Sequence, residues 1–384
     1  MSSIYDFIVV GLGAHGSSTL YQLSKTGKKV LGIDSFSVGH NNGSSHGESR
    51  MIRFSYSNGE HYVPMLLRSK EIWNEIENES KESLLFQKGA LFIGEENHPT
   101  LIDAKQSADK HNLAYEILSS KEVKEKYPQF FIKKNCIGFL DKTAGFLLSE
   151  SCINSFLNLA TNNGAVIQLN TPVVSITPTE NKVVVQTKDK RYEAGKVILT
   201  AGAYINEFLP EFSRQLELWR LVAGWFKPDK LTSYKPDKFP SFVLIEKDHY
   251  SYGFPSIKIP GVKIGFSISK GKKIDSTKEM ARDIKDEDIA LLRYWLEKYL
   301  PGINGEIVQA GTCFAMTTPD RNFILGAHPK HPNIIIGHAC SGHGFKMSSV
   351  IGEILADLSV GRDAKFDIKA HNPSRFEELS LIHI

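Results

Sequence analysis

An apolar run from Ile4 to Val10 leads directly into Gly11-Leu12-Gly13-Ala14-His15-Gly16, and this order constrains the fold more than any later feature. Ser17 to Lys25 then reads as a helix and Lys29 to Ile33 as a second strand. Only a helical crossover can start a second strand parallel to the first, so this βαβ unit predicts a parallel sheet. Gly11 permits a tight turn, Gly13 lets the backbone approach a pyrophosphate, and Gly16 lets the helix pack closely on its strand. The helix start offers N–H groups and a positive dipole end to phosphates. Asp34 ends the second strand, where a carboxylate can accept hydrogen bonds from ribose hydroxyls. A dinucleotide site is predicted, without a choice between FAD and NAD.

At 384 residues the chain exceeds the size at which one core stops growing, so two domains are expected. A hydrophobic fraction of 41% with 23% charged residues argues against disordered, fibrous and membrane classes. The net charge of +3, without long basic runs, leaves no nucleic-acid footprint. Cys136, Cys152, Cys313 and Cys340 lie far apart without a CxxC pair, so neither a disulfide framework nor a zinc site is indicated and no metal is expected. No stretch has the apolar length of a membrane span and no targeting segment is read, so the expected location is cytoplasmic.

Pro64 to Glu77 reads as an amphipathic helix and Gly89 to Gly94 as a strand, whereas Glu95 to Phe146 is polar and irregular. A helix at Glu150 to Thr161 and strands at Ala165–Leu169, Val173–Ile176, Lys182–Gln186 and Lys196–Thr200 precede Ala201-Gly202-Ala203. Leu216–Phe226, Ser241–Ile245, Tyr250–Phe254 and Val262–Ile268 suggest an antiparallel sheet, with Asp286–Leu300 as a helix over it. Asn333–Gly337 reads as a strand and Lys346–Leu358 as a helix. The expected class is α/β with an α+β second domain. A Rossmann-like dinucleotide-binding domain takes residues 1–84, 147–215 and 316–384, and a discontinuous antiparallel-sheet substrate domain takes 85–146 and 216–315.

The block Gly43-Ser44-Ser45-His46-Gly47-Glu48-Ser49-Arg50-Met51-Ile52-Arg53, followed by Tyr62-Val63-Pro64, resembles the monomeric sarcosine oxidase and N-methyltryptophan oxidase family. Tyr252-Gly253-Phe254-Pro255, Lys263-Ile264-Gly265, Cys313 ahead of Thr318-Pro319-Asp320, and Ser341-Gly342-His343-Gly344-Phe345-Lys346 follow in family order, so the resemblance covers nearly the whole chain. It implies FAD as the cofactor, linked covalently through Cys313, with molecular oxygen as acceptor. A thiolate suits that attachment because it is the most nucleophilic side chain near neutral pH. Taken alone Cys313 reads as a small buried hydrophobe, and Cys340 is the fallback thiol.

The same resemblance places Gly11, Gly13, Gly16, Asp34, Ser44, His46, Ser49, Arg50, Val174, Gly202, Gly342, Gly344 and Lys346 at the cofactor. Lys263, His46, Arg50 and Tyr252 take catalytic roles, Lys263 by holding positive charge for oxygen activation. Arg53 and Lys346 match the pair that binds a substrate carboxylate, with Tyr252 lining the substrate cavity. Without that context each cation is an ordinary surface residue and the tyrosine ordinary packing.

Two positions depart from the family. Ser267 stands where a histidine is common and Ala315 where an aromatic is common, which leaves room for a side chain larger than that of sarcosine. The expected reaction is oxidation of an N-methyl or cyclic amino acid to an imine, with release of hydrogen peroxide. The expected partners are a small amino-acid-like substrate and oxygen, not nucleic acid or membrane, and the chain is expected to be a monomer. A noncovalent FAD dehydrogenase serving a quinone or carrier, and a non-enzymatic dinucleotide-binding protein, are the alternatives.

Overall fold

The Ser3–Val10 strand lies inside an eight-stranded sheet and pairs in parallel with Val30–Ile33 on one side and Arg191–Leu199 on the other. Val166–Gln168 and Ile334–His338 extend the parallel set at either side. The computed structural model describes residues 3–338 and 341–376. Ile8 and Val9 are fully buried, as expected of a strand covered on both faces, which reads as a continuous apolar run rather than an alternation. Successive side chains still part to opposite faces. Phe7 and Val9 pack with Leu20 and Leu355 of the helices Ala14–Ser24 and Ser348–Ser359, whereas Ile8 and Val10 pack with Leu31, Leu199 and Phe314.

A second, nine-stranded sheet runs Lys272–Ile274, Glu217–Phe226, Val262–Phe266, His249–Phe254, Ser241–Glu246, Ala90–Glu95, Cys136–Asp141, Tyr115–Leu118, with Ile307–Thr317 along the other edge of Glu217–Phe226. It is mixed rather than purely antiparallel. Ser241–Glu246 and Ala90–Glu95 pair in parallel, at the seam where strands from two distant excursions of the chain meet and no hairpin dictates direction. A three-stranded sheet of Ser49–Ile52, Gly145–Leu148 and Leu85–Phe86 carries Arg50.

Residues 95–146 are not irregular. They hold the helices Pro99–Lys110 and Ser120–Lys126 and the strands Tyr115–Leu118 and Cys136–Asp141. The first helix buries only Leu101, Ala104, Ser107 and Ala108, a stripe too small and polar to stand out in sequence. Pro99 stands in its first turn and the His98 ring caps it, accepting from Thr100 N. The strand expected to run to Ile268 stops at Phe266, because Ile268–Lys270 forms a 3-10 turn. The last helix begins at Ser348, and Lys346 sits in the preceding 3-10 turn Phe345–Met347.

Close approach explains the glycines. Gly11 takes φ +91°, and a Cβ on Gly16 would lie 1.7 Å from the Gly11 carbonyl oxygen, so the first helix presses directly on the turn. Gly352 does the same between two helices: its Cβ would lie 2.0 Å from Ser18 Oγ and 2.6 Å from the Ser18 carbonyl carbon. Gly352→Ala gains about 1 kcal/mol of helix propensity and loses about 1–3 kcal/mol or more to overpacking, so the clash wins. The thermal midpoint is expected to fall. An unchanged or raised midpoint would contradict this helix contact.

Candidate active site

A cavity of about 960 Å³ runs from the glycine turn to a wall formed by Arg53, Tyr252 and Lys346. Gly11, Gly13, Asp34 and Gly202 line one end. A Cβ on Gly13 would meet only Ser45 Oγ, at 3.5 Å, so the backbone at the helix start opens onto the cavity. Asp34 ties the turn to the second strand: its Oδ2 accepts from Leu12 N at 2.6 Å and its Oδ1 from Phe36 N at 2.8 Å. A carboxylate has about four acceptor positions, so capacity for ligand hydroxyls remains. Val174 falls off this site, being 66% exposed, while Pro172 and Val173 line the cavity. The pairing with the next strand shifts register between Val173 and Ser175, and such a bulge turns one residue outward.

A second cavity of about 410 Å³ adjoins the first, and Arg50, Tyr252 and Cys313 lie on the walls of both. Cys313 is half-buried, on Ile307–Thr317 opposite Leu221. Lys263 is buried at 2% exposure and donates to two carbonyls, Gly47 O at 2.6 Å and Ser49 O at 2.9 Å, with the rings of Trp225 and Phe254 beside it. Burial first, and then the Arg50 charge, hold its pKa well below the usual lysine range, while Cys313, Glu48 and Glu150 oppose them. Arg50 donates to the carbonyls of Ser49, Ser44 and His46, and no ion pair to it is found among the described residues.

Two carboxylates absent from the expected site hold this loop. Glu150 accepts from Gly47 N at 2.6 Å and from Glu48 N at 3.1 Å. Burial alone would raise its pKa, but these N–H groups and the Ser149 hydroxyl outweigh it and hold the carboxyl below the usual range. Glu48, at φ +70°, accepts from Trp225 Nε1 at 3.1 Å and from Lys258 N and Ile259 N, each at 2.8 Å. A sequence signal existed only in part: the Gly47-Glu48 step sits inside the quoted motif, but nothing in it names Glu150 as its partner.

Arg53 and Lys346 converge on Tyr56, at 5.0 and 5.5 Å from its ring. Arg53 donates to Ser57 Oγ at 3.4 Å and Asn58 Oδ1 at 3.0 Å, and Lys346 donates to His343 O at 2.9 Å. Neither has a carboxylate hydrogen-bond partner among the described residues. Burial first holds the pKa of each down, and for Lys346 the Arg53 charge adds to it. Lys346 is buried and Arg53 half-buried, and with no carboxylate bonded to either the pair forms a site suited to one. Tyr56 and His343 were not anticipated. His343 Nε2 meets the Arg321 carbonyl at 3.1 Å and therefore carries the proton, so its Nδ1 accepts from the Tyr56 hydroxyl at 2.7 Å.

The remaining expected positions divide. His46 lies on the second cavity, with burial and Arg50 pushing it down to about 4. Ser44, Gly342 and Gly344 line the main cavity, Gly342 at φ +80°. Ser49 is fully buried and off both cavities, and it acts through its carbonyl. Tyr252 is pushed up to about 12 by burial first and Cys313 second. Ser267 and Ala315 both face the main cavity. Cys340 lies outside the described residues.

Known proteins share this sequence and this fold. A family model described as FAD dependent oxidoreductase matches residues 6–358. The chain is 35% identical over 379 residues to monomeric sarcosine oxidase of Bacillus sp. (strain NS-129), spanning 98% of both chains. It is 33% identical over 377 residues to N-methyl-L-tryptophan oxidase of Salmonella typhi, spanning 97% of this chain and 100% of that one. Among solved structures, the open form of NikD, an unusual amino acid oxidase essential for nikkomycin biosynthesis, aligns with TM-score 0.86 and 23% identity over 97% of this chain and 98% of that one. L-proline dehydrogenase from P. horikoshii aligns with TM-score 0.85 and 23% identity over 98% and 99%. At these identities the structural likeness is one of fold.

Buried histidines make stability acid-sensitive. Burial first pushes His15 and His46 down to about 4 and His338 and His343 to about 3. The unfolded chain takes up these protons near pH 6.5 while the folded chain refuses them, so stability is complete above that pH and falls as pH drops through the folded values. The loss is up to about 1.4 kcal/mol per pH unit for each histidine. The urea midpoint is therefore expected to drop between about pH 7.5 and pH 5, less steeply in His338→Asn. A flat profile, or an identical slope in the variant, contradicts the assignment.

Proposed function

The chain belongs to the FAD dependent oxidoreductase family, and from that premise we propose that it is an amine oxidase acting on an N-methyl or cyclic amino acid. The observation that carries the reading is the pair of cations, half-buried Arg53 and buried Lys346, facing the same cavity as the glycine cradle and Cys313. The cradle suits FAD because the turn leaves no room for side chains at Gly11 and Gly16 yet opens backbone N–H groups at Gly13. Gly11, Gly13, Asp34 and Gly202 would hold its nucleotide portion, with Ser44, Gly342 and Gly344 on the same cavity wall. When bound, FAD supplies a two-electron acceptor that oxygen restores.

Arg53 and Lys346 take the substrate carboxylate, and Tyr252 bounds the cavity beside it. The surplus positive charge lowers the pKa of a bound amine and favours its neutral, oxidisable form. Loss of two electrons and two protons gives an imine; water adds, the C–N bond breaks, and an amine and a carbonyl compound leave. Oxygen takes the two electrons and two protons as hydrogen peroxide. Lys263, with Arg50 beside it, places positive charge where oxygen becomes negative. The room left by Ser267 and Ala315 favours substrates larger than sarcosine.

Cys313 is the proposed point of covalent attachment, supported by its place between both cavities and by the nearby Lys263 charge. The working division remains residues 1–84, 147–215 and 316–384 for FAD and 85–146 and 216–315 for substrate. No helix among the described residues is long and apolar enough to cross a membrane, and a cytoplasmic monomer is the working form.

Acid precipitation is expected to leave flavin in the protein pellet of the native enzyme and in the supernatant of Cys313→Ala. Free flavin from the native protein rejects the attachment. An N-methyl amino acid or pipecolate is expected to bleach the flavin anaerobically, and peroxide to form in air. Arg53→Ala should lower kcat/KM by roughly 10²-fold or more, while Lys263→Met should slow reoxidation by oxygen roughly 10²–10³-fold and spare anaerobic bleaching. Failure of every secondary amino acid to bleach the flavin would overturn the substrate class, and dye reduction without peroxide would overturn the oxidase.

A further inference from the structure

We propose that the substrate side chain runs along one face of the His249–Phe254 strand and ends in a cation recognised by Asp248; this rests on the amino-acid reading above and narrows it to substrates with a long, positively charged side chain. In a strand, alternate residues share a face. Phe254, Tyr252 and Tyr250 alternate along this strand, Asp248 continues the same spacing into the turn, and all four line the main cavity. Val243, directly opposite Tyr252 on the neighbouring strand, lines it as well. The face therefore changes character along its length, from apolar at Phe254 and Val243, through the Tyr250 hydroxyl, to a carboxylate.

Distances fit a substrate held at one end. Arg53 lies 5.4 Å from the Phe92 ring, and Tyr250 packs against the same cluster as Phe92, so a carboxylate bound by Arg53 and Lys346 starts near Tyr250. From there Asp248 is two residues along the chain, about 7 Å at strand spacing, the extended reach of a four-carbon side chain with a terminal ammonium. The Tyr250 hydroxyl is placed by Thr100 Oγ1 at 3.1 Å, and Thr100 also lines the cavity. Asp248 is exposed and has no ion-pair partner among the described residues. Arg321 also lines the cavity, and its carbonyl accepts from His343, whose own carbonyl accepts from Lys346, so its backbone belongs with the carboxylate clamp. An anionic tail would thus compete with the α-carboxylate for the same cations, whereas a cationic tail meets a separate partner.

The test compares three racemic Nα-methyl amino acids of matched length: the lysine, norleucine and 2-aminoadipate derivatives. The holoenzyme is expected to favour lysine over norleucine in kcat/KM by about threefold to fivefold, the scale of one exposed ion pair, through KM rather than kcat. The preference should shrink as salt is raised. Asp248→Asn should bring lysine down to the norleucine value, and Asp248→Lys should reverse the order in favour of aminoadipate. Equal values in the native enzyme, a native preference for aminoadipate, or a lysine preference that survives in Asp248→Asn overturns the inference while leaving the amine oxidase reading intact. If none of the three is turned over and sarcosine and pipecolate also fail, both readings fall together.

Discussion

Positive charge is buried here without direct ion pairing, and the arrangement of the centre follows from that constraint. Removing an ammonium from water costs several kcal/mol even after relaxation. Lys263 and Lys346 offset the cost with main-chain carbonyls, Gly47 and Ser49 for one and His343 for the other. A carboxylate in direct contact would satisfy each lysine better and would also cancel its field. The acids are instead held one step back. Glu150 and Glu48 spend their oxygens on backbone N–H groups and on Trp225, so they fix the loop while the cations stay available.

Both sheets are needed to assemble this centre. The dinucleotide turn and the loop bearing His46 and Arg50 come from the first part of the chain, whereas Lys263, Tyr252 and Cys313 stand on three strands of the second sheet. Ile307–Thr317 joins the two regions. It pairs along Glu217–Phe226, yet Phe314 and Met316 pack into the core under the first sheet, and Met316 O accepts from Ser341 N at 2.6 Å. Cys313 therefore stands on an element anchored at both ends of the interface.

The parallel sheet was legible because its signals are local: an apolar strand, three glycines with distinct steric duties, and an acid at the end of the next strand. The Pro99–Lys110 helix and the Ile307–Thr317 strand were not, because their periodicity is masked. The helix buries mostly small residues, and the strand leaves its first residues, Ile307 and Val308 among them, partly exposed, follows them with Gln309, Ala310, Gly311 and Thr312, and is continuously buried only from Phe314. Arg53, Lys346 and Lys263 were recognisable through the resemblance to a family, since nothing in a cation's own sequence neighbourhood reveals its burial. Glu150 and the Tyr56–His343 pair were missed for a physical reason: both are second partners, defined by contacts across 102 and 287 residues that no local pattern encodes. Val174 shows the converse, a position expected at the cofactor that is turned outward beside a bulge.

The continuous pairing of Ile307–Thr317 with its neighbour has a kinetic implication. A hinge that parted the two halves would have to pull Phe314 and Met316, together with Leu218 of the paired strand, out of the core they share with the first sheet. The contacts at Arg53 are far lighter: Ser57 and Asn58 hold it through hydrogen bonds of 3.4 and 3.0 Å, and Asn58 is exposed. An anion that took Arg53 would compete with those two hydrogen bonds and loosen residues 57 and 58 while leaving that shared core in place.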